Sequence, residues 1–560
     1  MDEKGEFIVN KSGADDTDVL VIGAGPGGAG VTLELVQAGY KVICLEQGPW
    51  VSSTEHPHYH REWEIEKQRG WAYDPNVRGL PEDYPVTGFT TPYLMNNVGG
   101  STMHYAGHWP RYKPVDFRKG TEHGLEGTID WPISYEELAP YYDKNDAIYG
   151  ISGTVGDPSY PDRSGVDRDP PVLPGKLGRN FANALGGLGW HWWPSDNAII
   201  TRPRENRDAD VAAGNELSGS PTGSLSTPAH THWPFAIALG ADLRTFARVE
   251  QIHAKNGKAT GATYIDTRTG DRHEITAKIV VVAASGIGTP RLLLMSAQKG
   301  HPDGLANSNG LVGKYLMHHI FAFCDAWFDK PMEGYKGAFG APLYSHEFYH
   351  TDTDRGFVNG FGMQVARSFG AAFSAMGSHT GYVAPWGADH RNFFNDHFGN
   401  HLMVFMFGED LPVETNCVTL DTDAKDSSGL PAAHVNWEPH ANDIALANFG
   451  IDRIFDAARA LGAVETNDTG VLNPPPGWHL MGTCRMGNNP QDSVTNKWNQ
   501  TWDIPNLFVV DGSSLTTGGA VNPTSTIGAL AVRAGEYISR RFADIVDQKT
   551  TPSNADAPAI

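Results

Sequence analysis

The chain has 560 residues, 40% of them apolar, with 43 basic side chains against 65 acidic ones and a net charge of −22. That length exceeds what one hydrophobic core usually supports and points to two domains. So acidic a surface repels nucleic acid and anionic membrane, which excludes both as partners and argues against steering of acidic substrates.

Residues 1–16 are polar, and Met1–Lys4 opens no apolar stretch of the export-signal type. No run of about twenty apolar residues suggests a membrane span, so the expected compartment is the cytoplasm. Asp18–Ile22 reads as a short strand. It runs into Gly23-Ala24-Gly25-Pro26-Gly27-Gly28, then a helical segment to near Gly39, then a second strand over Lys41–Glu46. A GxGxxG turn between a strand and a helix is the dinucleotide fingerprint in its required context. Gly23 permits the tight turn, Gly25 lets the backbone approach a pyrophosphate, and Gly28 lets helix and strand pack closely. Helix N–H groups then face the phosphates. Glu46, ending the second strand, is placed to accept hydrogen bonds from a ribose diol. The fingerprint alone does not separate FAD from NAD.

His56, His58 and His60 alternate in a polar loop with no Cys or carboxylate spaced to complete a metal site. In Asn96–Tyr105, the pair Gly99-Gly100 between polar residues suggests a backbone that passes close to something. Ser134 and Glu137 have the spacing of a capping box at a helix start. Residues 151–175 are rich in Gly, Pro and Asp and read as irregular. Arg244–Gln251 and Ala259–Asp266 read as strands around the turn Asn256-Gly257. Lys278–Ala284 is a buried strand leading into a turn at Ser285–Pro290 and a helical Arg291–Met295.

Residues 331–400 carry Tyr335, Phe339, Tyr344, Phe348, Tyr349, Phe361, Phe373, Tyr382 and Trp386 with poor apolar periodicity. Either they form a packed insertion with several strands, or they wall a substrate pocket with aromatic faces. The four cysteines, Cys44, Cys324, Cys417 and Cys484, stand far apart with no CxxC pair, so neither a disulfide scaffold nor a local metal motif is readable. The polar tail after about residue 546 reads as disordered.

Three strings near the C-terminus complete the pattern: Gly477-Trp478-His479-Leu480-Met481-Gly482-Thr483, Val510-Asp511-Gly512-Ser513, and Val521-Asn522-Pro523-Thr524. With the N-terminal fingerprint ending in Leu45-Glu46-Gln47-Gly48, the Val98-Gly99-Gly100-Ser101 stretch and Gly288-Thr289-Pro290-Arg291, the chain resembles the glucose–methanol–choline (GMC) flavoprotein oxidoreductases. The resemblance spans nearly the whole chain and is strongest to pyranose-oxidase-like, glycoside 3-oxidase and gluconate dehydrogenase branches.

That resemblance implies FAD as cofactor and an α/β fold. A Rossmann-like FAD-binding domain (15–125, 228–312, 471–545) would interleave with a mixed-sheet substrate domain (126–227, 313–470). His479 matches the family's catalytic histidine, and Asn522 its second active-site position. Gly99, Gly100, Ser101, Asp511, Thr524 and, through its backbone, Val249 match cofactor-binding positions. His104 is similar to the histidine that carries the flavin covalently in some members. Its string Thr102-Met103-His104-Tyr105 departs from the Ser-Thr-His-Trp of fungal pyranose oxidases. Relatives that pass electrons to a cytochrome subunit hold an iron–sulfur cluster on a cysteine-rich segment. Here that segment is Gly214–Ser220 and has no thiolate, so no cluster is expected.

Alcohol oxidation needs a base for the hydroxyl proton and an acceptor for the hydride, and an imidazole suits the first role. Asn522 before Pro523 also has the pattern of a helix cap, and such a helix start would point its positive end at the flavin. The implied activity is oxidation of a secondary hydroxyl of a sugar or glycoside to a ketone. Reoxidation would be by oxygen or a small quinone-like acceptor. The alternatives are a sugar-acid or polyol dehydrogenase, and a non-redox FAD-containing lyase of the hydroxynitrile lyase type.

Overall fold

The computed structural model describes residues 15–51, 84–88, 94–125, 127–163, 167–205, 207–212, 220, 222–336, 342–366, 371–376, 384–471, 477–547 and 554. His56, His58, His60, Gly214–Gly219, Phe339, Tyr382 and the side chain of Phe373 lie outside the described residues.

A seven-stranded sheet carries the fingerprint. β1 (Asp16–Ile22) pairs in parallel with β2 (Val42–Leu45) on one side and with β8 (Arg272–Val282) on the other. β5 (Asp242–Arg244) continues the parallel order beyond β2. The long strand β8 is shared. Its first residues pair with β7 (Lys258–Asp266) in antiparallel fashion, while Val280–Val282 pair in parallel with β16 (Leu507–Val509). β6 (Ala247–Lys255) closes the antiparallel edge. Successive residues of a strand face opposite sides. Val19 and Val21 therefore enter one buried layer with Leu35, Phe508 and Ala531, and Leu20 and Ile22 enter another with Leu45, Val282 and Leu293. Helix α1 (Pro26–Gln37) covers the first layer, as a mainly parallel sheet requires.

Every pairing in the second sheet is antiparallel, in the order β15 (Glu465–Val471), β9 (Ile320–Trp327), β12 (His401–Gly408), β11 (Phe361–Ala366), β10 (Leu343–Ser345), β4 (Trp193–Pro194). A third sheet joins β13 (Cys417–Lys425) and β14 (Pro431–Asn436) to β3 (Val86–Gly88), the last in parallel. Segment 331–400 thus contributes β10 and β11, and Tyr344, Tyr349 and Phe361 are buried in its packing. Among the described residues none of that segment lines the cleft described below, though Gln364 on β11 lies 2.7 Å from His108.

Local signals behave as their chemistry dictates. Ser134 Oγ accepts from Glu137 N and Glu137 Oε2 accepts from Ser134 N, opening α2 (Tyr135–Tyr149). Asn256 and Gly257 both have positive φ, the requirement of the tight turn between β6 and β7. Three expected elements are corrected: Ser285–Pro290 is not a turn but the first part of one helix, Ser285–Met295. Arg244–Gln251 is not one strand, because Arg244 ends β5 in register with Leu45 and the chain turns at Phe246 before β6. The helix after Pro523 does not stop near Ser539. As α3 (Thr524–Asp547) it runs on, because Ile538 and Ile545 keep its apolar face against the first layer.

Candidate active site

One cleft gathers most of the predicted positions. Gly23, Gly25, Glu46, Gly100, Ser101, Val249, His479, Asp511 and Thr524 all line it, and it encloses about 1310 Å³ opening to solvent. Gly28, Gly99, His104 and Asn522 are not among its lining residues.

At one end is the turn between β1 and α1. Gly23 has φ +103°, and a Cβ there would lie 2.3 Å from the Ala283 carbonyl oxygen. A Cβ on Gly28 would lie 1.9 Å from the Gly23 carbonyl oxygen and 3.1 Å from Val21, the close helix–strand contact expected of it. Gly25 differs: a Cβ there would meet nothing nearer than Gly100 Cα at 3.9 Å. Its backbone faces open space at the N-terminus of a helix, a cradle suited to phosphate. Glu46 Oε2 accepts from Ala24 N and Oε1 from Gly48 N, each at 2.9 Å. Burial outweighs these bonds and pushes its carboxyl up to about 7. Each oxygen keeps a second lone pair for a diol.

Asp511 spends its carboxylate on protein donors. Oδ2 accepts from Ser285 N at 2.9 Å and from Thr289 Oγ1 at 2.5 Å, and Oδ1 accepts from Ser513 N at 2.8 Å. It therefore ties the helix that follows β8 (Ser285–Met295) to the turn after β16 at the cleft wall. The Leu480 backbone is held between Gly286 and Gly512, where added Cβ atoms would come within 2.4 and 2.5 Å of its carbonyl oxygen.

His479 stands at the other end, half-buried, and its Nε2 lies 3.2 Å from Asn522 Nδ2. The Asn522 side chain does not cap α3: its Oδ1 lies 2.7 Å from His108 Nδ1. Pro523 instead supplies the carbonyl that receives Ile527 N, at 3.0 Å. The Gln364 amide on β11 is 2.7 Å from the same His108 nitrogen. On the other side, His319 Nδ1 lies 2.8 Å from His479 Nδ1. Burial, with His319, His108 and His318 close by, holds His479 well below the ordinary imidazole value. Burial likewise lowers His108 and His319 to about 4 each. All three rings are neutral at neutral pH, so His479 is a base ready to accept a proton. Phe321, Phe407 and Trp478 surround it, with ring centroids of the two phenylalanines 5.8 and 6.3 Å from its own.

Sequence reasoning singled out His104, yet the histidine that reaches Asn522 is His108, four residues further on and beyond the short helix that ends at His104. It also missed His319 and Gln364. A His318-His319 doublet before an apolar strand was the visible signal, but 160 residues separate His319 from His479. Among the described residues no three His, Cys, Asp or Glu side chains are arranged to hold a metal, and no helix is long and apolar enough to cross a membrane.

An open glycine cradle, a buried carboxylate at the end of β2 and a helix start beside a neutral histidine fit a flavin dinucleotide. Two stretches, residues 197–321 and 412–531, match the N- and C-terminal profiles described as GMC oxidoreductase. A 2-methyl-1,2-propanediol dehydrogenase from Mycolicibacterium austroafricanum is 90% identical over 548 residues, covering 98% of this chain and 99% of that protein. The fructose dehydrogenase large subunit of Gluconobacter japonicus is 28% identical over 93% of this chain and 97% of its own length. A C-glycoside 3-oxidase from Arthrobacter globiformis is 27% identical over 54% of each chain. The chain belongs to the GMC oxidoreductase family, whose members depend on FAD and act on alcohols.

Proposed function

We propose that the chain is an FAD-dependent dehydrogenase of small vicinal diols, oxidising the primary hydroxyl of 2-methyl-1,2-propanediol to the aldehyde. The observation that carries this reading is the His479–Asn522 contact at one end of a cleft whose other end is the Gly25 cradle. The relative at 90% identity supports the substrate. The regiochemistry follows from the substrate itself. Its C2 bears two methyl groups, a hydroxyl and C1, and has no hydrogen to give up, so only C1 can be oxidised. Trp478, which lines the cleft beside His479, gives the methyl groups an apolar face to meet.

In this mechanism His479 Nε2 takes the C1 hydroxyl proton, and Asn522 Nδ2 donates to the same oxygen. FAD, when bound, supplies the acceptor for the hydride that leaves C1. The N-terminus of α3 at Thr524 places positive helix potential beside the developing negative charge. Glu46, Ser101 and Val249 hold the nucleotide, Asp511 shapes the wall beside it, and Gly28 and Gly99 shape the turns behind the cleft. Segments 15–125, 228–312 and 471–545 form the cofactor domain, supported by the seven-stranded sheet that draws on all three, and 126–227 with 313–470 form the substrate domain. His104 stands outside the cleft lining, which supports a cofactor held without a covalent bond. Reoxidation is by oxygen or a small quinone-like acceptor.

The second reading is a sugar or glycoside as substrate, favoured by the fructose dehydrogenase and C-glycoside 3-oxidase relatives. Anaerobic flavin reduction decides between them. Bleaching by 2-methyl-1,2-propanediol and not by fructose, glucose or a glycoside is expected. Bleaching by sugars alone would overturn the diol assignment, and a flavin that stays oxidised with every alcohol would favour the lyase class.

A further inference from the structure

We propose that His319 is a positioning residue that fixes the tautomer of His479 and so presents its bare Nε2 to the alcohol. The inference rests on the reading of His479 as the base. The direction of the chain is set by one atom that cannot donate. His319 Nε2 lies 3.2 Å from the Gly518 carbonyl oxygen, which only accepts, so Nε2 carries the hydrogen. A neutral imidazole has one N–H, which leaves His319 Nδ1 bare. His479 Nδ1 is 2.8 Å from it, and two bare nitrogens at that distance would repel. His479 Nδ1 therefore donates, and its Nε2 is left with a lone pair facing the Asn522 amide N–H at 3.2 Å. The reversed order would set a bare His319 Nε2 against carbonyl lone pairs, with no hydrogen between them.

The surroundings hold His319 in place. Its φ is +69°, a left-handed backbone that is strained for a non-glycine residue. Asp410 keeps it there, with Oδ2 accepting from His318 N at 2.8 Å and Oδ1 from His319 N at 3.0 Å. The peptide that offers the Gly518 carbonyl is gripped from its other side. Its N–H, that of Gly519, donates to Glu409 Oε1 at 3.0 Å, and buried Lys119 stands 3.2 Å from Glu409 Oε2. Withdrawal of the N–H toward a carboxylate strengthens the carbonyl as an acceptor.

Neutron diffraction of the deuterated holoenzyme reads the tautomer without any substrate. Deuterium on His479 Nδ1 and His319 Nε2 is expected, and deuterium on His479 Nε2 would overturn the proposal whatever alcohol the enzyme takes. Kinetics give a second arm. His319→Gln keeps an amide oxygen for His479 and an amide N–H for Gly518, whereas His319→Leu keeps neither. The Leu variant should lose roughly 10²-fold in kcat with FAD content and KM little changed, and the Gln variant should recover most of it. Wild-type kcat in the Leu variant would refute a positioning role. Should the Leu variant fail to hold FAD, the Gln variant and the neutron map decide, and a Gln variant as slow as roughly 10²-fold below wild type would count against it.

Discussion

Gly25 and Gly100 approach so closely that a Cβ built on Gly100 would stand 3.1 Å from the Gly25 Cα. Gly25 itself faces open space, where the phosphates are proposed to lie. A side chain at Gly25 would therefore fill the cradle and strain nothing else. Gly25→Val should fold normally by circular dichroism and be purified without yellow colour. At Gly27 a Cβ would lie 1.8 Å from the Val510 carbonyl oxygen. Gly27→Ala should instead lower stability by about 1–3 kcal/mol or more, read by thermal or urea unfolding. Equal FAD retention in Gly25→Val and wild type would remove the cradle from the cofactor site.

Replacing the proposed base should separate chemistry from binding. His479→Asn should reduce kcat by about 10²–10⁴-fold, the range for a lost general base, while FAD stays bound. Asn522→Ala should cost less, about 10–100-fold, since it removes one hydrogen bond to a developing charge. Stopped-flow flavin reduction measures both. A His479→Asn enzyme that reduces its flavin at the wild-type rate would end the assignment.

The pH profile follows from the lowered basicity of His479. Lowering the pKa of an imidazolium extends the neutral, proton-accepting form to more acid pH. kcat/KM should therefore stay level between about pH 6 and 8 and fall only on the acid side, below the ordinary imidazole value. An acid limb centred above about pH 6.5 would mean that burial does not set the base.

His104 should be dispensable for holding the cofactor. Acid precipitation should leave all the flavin in the supernatant, and His104→Ala should bind FAD as wild type does. Colour that stays with precipitated wild-type protein and disappears in His104→Ala would show a covalent bond instead.

Much of the cofactor end was legible because its signals are local. The Gly23, Gly25 and Gly28 spacing, the apolar strand before it and the acid ending the next strand all fall within one βαβ unit. Gly23 and Gly28 have steric reasons in the structure, whereas Gly25 faces open space. The Ser134–Glu137 box and the Asn256-Gly257 turn were legible for the same reason. Asp511 shows where legibility stops. Its position at the end of an apolar strand was readable, but its partners Ser285 and Thr289 belong to the helix that follows another strand. Asn522 shows it again, since a cap and an active-site amide have the same sequence signature. Only the direction of its side chain, toward His108 and His479, separates them.

The sequence by itself determined the family resemblance and the glycine-rich turn and singled out His479 and Asn522, because those features depend on residue identity and short spacing. Tertiary structure alone decided that His108, His319 and the Gly518–Gly519 peptide meet around that pair. These groups come from separate loops and strands, joined by packing of two sheets. A hydrogen-bonded chain of this kind has no period or spacing along the polypeptide to announce it.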